Sequence, residues 1–294
     1  MRIGVHLVNF AYPGGPPEIG PTLARVGSAA EIAGVSNLSV MDHYFQLEMM
    51  GPVDAPMLEA YTTLGYLSGI TQTVQLQVLV TGVTYRYPGL LAKMISTLDV
   101  LSGGRAALGI GAAWYEREHH ALGVPYPGVA ERLDRLEETL EIVRQMWSDD
   151  NGPYAGRYYR LAETINAPQP IQSRPPIMIG GSGAKRLLRL VARYADASNM
   201  FAGPQISASA LADRYDILAA HCAREGTDFA RIAKTVLWVA PVEPGADGGA
   251  AFVEQLRPLA RIGVEQVHVM PFLMDPVDFI TGLGEHVIPA LRNL

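Results

Sequence analysis

Short, nearly continuous apolar runs at 2–8, 37–42, 74–81, 105–111, 177–180, 197–201, 234–240 and 265–270 alternate with stretches whose apolar residues return every three or four positions. Continuous apolarity over so few residues predicts strands covered on both faces, as in a parallel sheet between helices. The helical stretches fall at 19–33, 56–70, 88–102, 129–147, 183–195, 207–225 and 248–262, with a last one near 276–292. The clearest is 129–147, where Leu133, Leu136, Leu140, Val143 and Trp147 make one apolar stripe and Glu, Arg and Asp fill the opposite face. Pro88 suits the first turn of its helix, and Gly103-Gly104 ends it.

Eight strands and eight helices in strict alternation close most economically into an α/β fold, a (β/α)8 TIM barrel. The competing open, doubly wound sheet usually carries a glycine fingerprint after its first strand. Here that position reads "NFAYPGGPPEIG", without G-x-G-x-x-G. The one long interruption, 148–176, is rich in proline. It reads as an insertion between the fourth helix and the fifth strand, so that residues 1–294 form a single domain.

Composition narrows the partners. Half the chain is hydrophobic (49%) and only 18% is charged, enough for a large core. A net charge of −6 without any block of like charges argues against nucleic acid or an anionic membrane surface. The single cysteine, Cys222, rules out an intrachain disulfide and suits a reducing cytoplasm. No apolar run approaches membrane-spanning length, and the start reads as a first strand rather than a signal peptide.

In such a barrel, ligand-handling residues sit at the carboxyl ends of the strands, and these ends collect the unusual residues. The second strand ends in Asp42-His43, where a histidine can exchange a proton and a carboxylate can hold its tautomer; the same pair also reads as a capped turn with a packed imidazole. The fourth ends "LGIGAAWYEREHH". Within it Glu116, His119 and His120 share a helical turn, but only one histidine can share a face with the glutamate, so no metal site is expected. The fifth ends in Gly180, Gly181, Ser182 and Gly183, a loop that opens a helix and is followed by Lys185, Arg186 and Arg189. Backbone amides at a helix start favour an anion, although a glycine-rich turn with solvated cations has the same sequence.

Taken in order, "VMDHY" at 40–44, "LVTGVTYRYPGLLAKMISTLDVLSGGRAALGIGAAWYEREHHALGVPY" at 79–126 and "APQPIQSRPPIMIGGSG" at 167–183 resemble the bacterial luciferase-like oxidoreductases, in their coenzyme F420-dependent branch. The resemblance covers essentially the whole chain. It implies a flavin or deazaflavin ring at the barrel mouth, with Asp42 and His43 beside it. It also implies a bulge with a non-proline cis peptide in Leu79, Val80 and Thr81, at Leu79–Val80, behind the ring. Ala112, Ala113 and Trp114 would let the backbone approach the cofactor, Glu118 and His119 would help wall it, and Gly180, Gly181, Ser182 and Gly183 would receive its phosphate. The other reading of Glu118 and His119 is the start of a surface loop. Trp114 stands where sugar-phosphate-oxidising relatives carry an acid, which counts against that substrate.

The leading expectation is therefore an F420-dependent oxidoreductase transferring hydride between cofactor and a small organic substrate, with His43 exchanging the proton and Asp42 orienting it or touching the ring. An FMN-dependent monooxygenase on the same barrel and a non-catalytic flavin-binding relative are the alternatives. Arg157, Arg160, Lys185 and Arg186 could receive the acidic tail of a deazaflavin. Loops 9–18, 44–55 and 270–276, rich in Pro, Gly, Met and Phe, would hold an apolar or aromatic substrate. The resemblance also implies a cytoplasmic homodimer.

Overall fold

The computed structural model describes residues 1–272 and 274–294. Eight parallel strand positions close into a barrel. They are β1 (Arg2–Leu7), β2 (Asn37–Val40), β3 (Gln75–Val78) continued by β4 (Thr81–Gly82), β5 (Ala106–Gly111), β8 (Ile177–Gly180), β9 (Ala197–Ala202), β10 (Ala233–Trp238) and β11 (Val264–Val269). β1 lies between β2 and β11, and pairing of Leu76 and Gln77 with Ala106 and Ala107 closes the ring. Helices α1 (Pro16–Ala33), α2 (Ala60–Ile70), α3 (Pro88–Leu101), α5 (Val129–Met146), α6 (Leu187–Tyr194), α7 (Ala208–Glu225), α8 (Ala246–Arg261) and α9 (Pro276–Gly282) follow the strands in turn.

Each strand shows its apolar side to the helices. Ile3, Val5, Leu7, Leu38, Val40, Leu76, Leu108, Ile110, Ile177, Val236 and Val267 join the helices' stripes in one large buried cluster. The alternate positions point inward, and the lower interior is polar. His6 bonds Ser39 at 3.0 Å, Asn199 bonds Thr235 at 2.8 Å, and Gln77 reaches the sulfur of Met178 on a strand that is not its neighbour. Above this layer Val8, Met41, Leu79, Tyr115, Met178, Leu237 and Met270 form a second apolar cluster, the floor of the mouth. His6 and His268 are fully enclosed, and desolvation holds each at a pKa of about 3, so both are neutral at pH 7.

Three departures from the periodicity matter. The segment 116–122, read in part as the start of a loop, is a helix, α4 (Glu116–Leu122), and His119 is wholly buried within it. α6 begins at Leu187 rather than 183, after a turn over 184–186. The last helix stops at Gly282 and continues as a π-type turn over Leu283–Val287 and a 3₁₀ turn over Ala290–Asn293. The insertion carries a small antiparallel hairpin, β6 (Tyr154–Ala155) with β7 (Arg160–Leu161), whose connecting amides at Arg157, Tyr158 and Tyr159 are accepted by Glu138. Of the expected substrate loop 270–276, Leu273 lies outside the described residues.

Candidate active site

The mouth is organised around one carboxylate. Glu118, on the first turn of α4, has no exposed surface, and it accepts four hydrogen bonds. The Tyr44 and Phe45 amides donate to its Oε1 at 2.6 Å each, while Tyr85 Oη donates at 2.6 Å and His43 Nδ1 at 3.0 Å to Oε2. Burial disfavours the charge, but His43, the Phe45 amide and Tyr85 outweigh it, and the carboxyl titrates below the ordinary glutamate value. An ionised Glu118 fixes a proton on His43 Nδ1, which leaves the lone pair of the neutral ring on Nε2. Among the described residues no protein group bonds that Nε2. Trp114 and Tyr115 stand edge-on to the ring, with centroids 5.6 and 5.5 Å away.

Asp42 does not orient His43. Successive residues of an extended segment point to opposite sides, and Asp42 turns toward the third barrel position. There it accepts both Arg86 Nη1 contacts, at 2.7 and 2.9 Å, and the Gly82 amide at 2.9 Å. Burial pushes the Asp42 carboxyl up, and Arg86 and the Gly82 amide draw it partly back. Arg86 also bonds Glu59 at 2.6 Å and lies 4.6 Å over the Tyr61 ring, while Tyr61 Oη meets Thr81 Oγ1 at 2.6 Å. This clamp holds β4 behind the mouth. The Leu79–Val80 peptide is cis, at the position the resemblance implies. Val80 then lies across Gly111 and Gly180, where a Cβ on either glycine would come within 2.9 Å of a Val80 methyl. The Val80 side chain thus fills the space in front of two glycines on adjacent strands.

After β5, Ala113 takes a left-handed φ of 57°, and Trp114 is 55% exposed. Their carbonyl neighbours are held from behind, Ala112 O by Arg132 Nε and Trp114 O by Tyr126 Oη, both at 2.9 Å. On the other side of the floor, Gly181 has φ +121°, and its Cβ would stand 2.5 Å from Leu187 Cδ2, so the loop requires glycine there. Ser182 and Gly183 are exposed, and His221 Nε2 meets Ala184 O at 2.8 Å and steadies the turn that follows. The cations behind this loop are mostly engaged. Arg186 pairs with Asp134 and Arg189 with Glu225, which leaves Lys185 exposed at the edge.

His119 is structural. Its Nδ1 donates to Tyr115 O at 2.8 Å and its Nε2 meets Thr84 Oγ1 at 2.6 Å; burial lowers its pKa and so favours the neutral ring, whose Nε2 then accepts from the Thr84 hydroxyl. The geometry therefore gathers His43, Glu118, Trp114, Leu79, Val80, Ala112 and Ala113 on one side of the mouth, with Gly180–Gly183 across β8. Sequence reasoning overlooked Arg86, Glu59 and Tyr44. The only signal for Arg86 is a lone arginine among tyrosines in "TYRYP".

The profile described as luciferase-like monooxygenase matches residues 1–261. An F420-dependent glucose-6-phosphate dehydrogenase of Microbacterium testaceum is 33% identical over 191 residues, 64% of this chain and 55% of that protein. The chain spans about half the length of the curated relatives it matches. Among solved structures, an F420-dependent secondary alcohol dehydrogenase in complex with an F420-acetone adduct superposes with a TM-score of 0.82 at 19% identity, covering 99% of both chains. A monooxygenase from Streptomyces bottropensis superposes at 0.75 with 18% identity, over 99% of this chain and 100% of its own.

Proposed function

Given that the chain belongs to the luciferase-like monooxygenase family, we propose that it is an F420-dependent oxidoreductase acting on a small organic alcohol or its carbonyl product. The observation that carries this reading is the His43–Glu118 pair, which leaves His43 Nε2 without a protein partner among the described residues, at a mouth whose floor is the Val80 bulge seated on Gly111 and Gly180.

The residues present suit a deazaflavin. The Val80 bulge over Gly111 and Gly180 gives a planar ring a surface to lie on, and Ala112 and Ala113 keep the adjoining strand end low. The exposed backbone of Ser182 and Gly183, with Lys185 beside it, would hold the cofactor phosphate. When bound, the deazaflavin supplies a ring carbon that accepts or gives a hydride. The chain's own work is proton handling and positioning. In oxidation of the alcohol, His43 Nε2 would take the proton of its hydroxyl as the carbonyl forms. Glu118 stabilises the resulting imidazolium and keeps the ring in one tautomer. Asp42 and Arg86 act at one remove, holding the bulge through Gly82. The reading carries a homodimer and a cytoplasmic location as expectations; among the described residues no helix is long and apolar enough to cross a membrane.

The test is titration of the purified protein with coenzyme F420 and with FMN, followed by ligand fluorescence. F420 is expected to bind more tightly. Binding of FMN with no measurable binding of F420 overturns the reading in favour of a flavin monooxygenase. The same titration on Gly181→Val should show cofactor affinity reduced by about tenfold or more with the fold retained by circular dichroism, because valine cannot adopt φ +121° without moving the loop. Unchanged affinity in the folded variant would place the phosphate elsewhere.

A further inference from the structure

Glu118 fixes the His43 ring, but a ring also turns with its backbone, and the residues on either side of His43 share one further partner. Arg86 Nη1 donates to both oxygens of Asp42, at 2.9 and 2.7 Å. Its Nη2 donates to Tyr44 Oη at 3.4 Å and to Glu59 Oε1 at 2.6 Å. The Arg86 side chain is 9% exposed and that of Asp42 3%, so these charged bonds form where little water competes for them. Among the described residues Arg86 makes no bond to His43 itself.

Each contact ends on a different element. Glu59 caps α2 by accepting the Thr62 amide at 2.7 Å, which ties Nη2 to the start of that helix. Asp42 accepts the Gly82 amide, and Tyr61, under the guanidinium, meets Thr81 Oγ1, which ties the other side to β4. Tyr44 carries the link forward. Its ring stands edge-on to Tyr85 at 5.3 Å, and its amide and Tyr85 Oη both donate to Glu118. A planar fork of donors suits such a set of acceptors. An ammonium, with its donors at one point on a flexible stem, cannot hold two carboxylates and a phenol in these directions at once.

We propose that Arg86 is a positioning residue for His43: by holding Asp42 and Tyr44 against Glu59, it keeps the imidazole on Glu118 and Nε2 free to exchange a proton. The inference rests on the proton-transfer role proposed above, and its first measurement needs no cofactor. Heteronuclear NMR of the histidine rings in the unliganded protein is expected to show His43 as one tautomer, protonated at Nδ1. In Arg86→Lys, with the fold intact by circular dichroism, the same ring should become an exchanging mixture. Single-turnover hydride transfer with F420 should be slower by about tenfold in Arg86→Lys. Added to His43→Ala, the same substitution should cost nothing more, whereas a merely structural role would give additive losses. Additive losses, a ring already mixed in the wild type, or a ring that keeps its tautomer in Arg86→Lys overturns the proposal. If Arg86→Lys does not fold, Glu59→Gln, at the more exposed carboxylate, is carried through the same measurements with smaller effects expected in the same direction. A tautomer that shifts as expected in a protein that binds no F420 strikes the proposed cofactor and leaves the positioning role standing.

Discussion

His43→Ala is expected to lower single-turnover hydride transfer by about 10²–10⁴-fold while F420 affinity changes little. The imidazole is the one titratable ring at the mouth whose outer nitrogen has no protein partner among the described residues, and its inner nitrogen is committed to Glu118. Removing it deletes the proton acceptor but leaves the floor, the glycine loop and the Asp42–Arg86 clamp in place. A companion variant, Glu118→Gln, should also lower turnover and shift the pH dependence of the rate, since the amide can no longer stabilise an imidazolium. It should be less stable as well, because the amide keeps only one acceptor oxygen, and its nitrogen cannot accept the bonds that Tyr85 and His43 direct at the other position while the Tyr44 and Phe45 amides hold the first. Near-normal turnover in His43→Ala would remove its role. Lost F420 binding with turnover preserved at saturation would make it a cofactor contact instead.

The second large effect is on stability in acid. His6 and His268 are neutral in the fold, with pKa values near 3, whereas in the unfolded chain they titrate near 6.5. Between these values the unfolded state binds more protons, so stability falls as pH falls, by about 1.4 kcal/mol per pH unit for each histidine. Two such groups together roughly double that slope, so stability drains steadily as pH falls through the window. Acid unfolding, followed by circular dichroism, should accordingly have its midpoint between pH 6.5 and 3. His268→Gln should halve the slope there, and histidine ring proton shifts should show two rings that stay neutral until the fold is lost. A slope that His268→Gln leaves unchanged would mean that the buried pair does not govern the transition.

The barrel was legible because most of its outward strand positions are apolar, and helical stripes recur between them. The polar interior was not: His6 pairs with Ser39, Asn199 with Thr235 and Gln77 with the Met178 sulfur across strands, and no local pattern announces that. α4 escaped because "EREHHAL" has no apolar stripe. Its buried face is Glu118 and His119, whose burial becomes affordable only through Tyr44, Phe45, Tyr85 and Thr84, residues far away in sequence. The Asp42-His43 pairing misled for a related reason, since adjacency along an extended backbone separates side chains rather than joining them. The glycine loop was visible as a loop, but Gly181's positive φ delays the helix by several residues, which composition does not reveal.

The bonds to Glu118 divide the rim of the barrel into two parts that can vary separately. Because one side chain of α4 grips two amides and a histidine of the β2 loop together with a tyrosine of the β4 loop, those three segments form a fixed jaw. The opposing jaw, from β9 to β11, has no bond to that carboxylate and contributes mainly apolar shape. Residues 239–245 and 270–275 can therefore be rewritten without touching the bonds that hold His43 to Glu118.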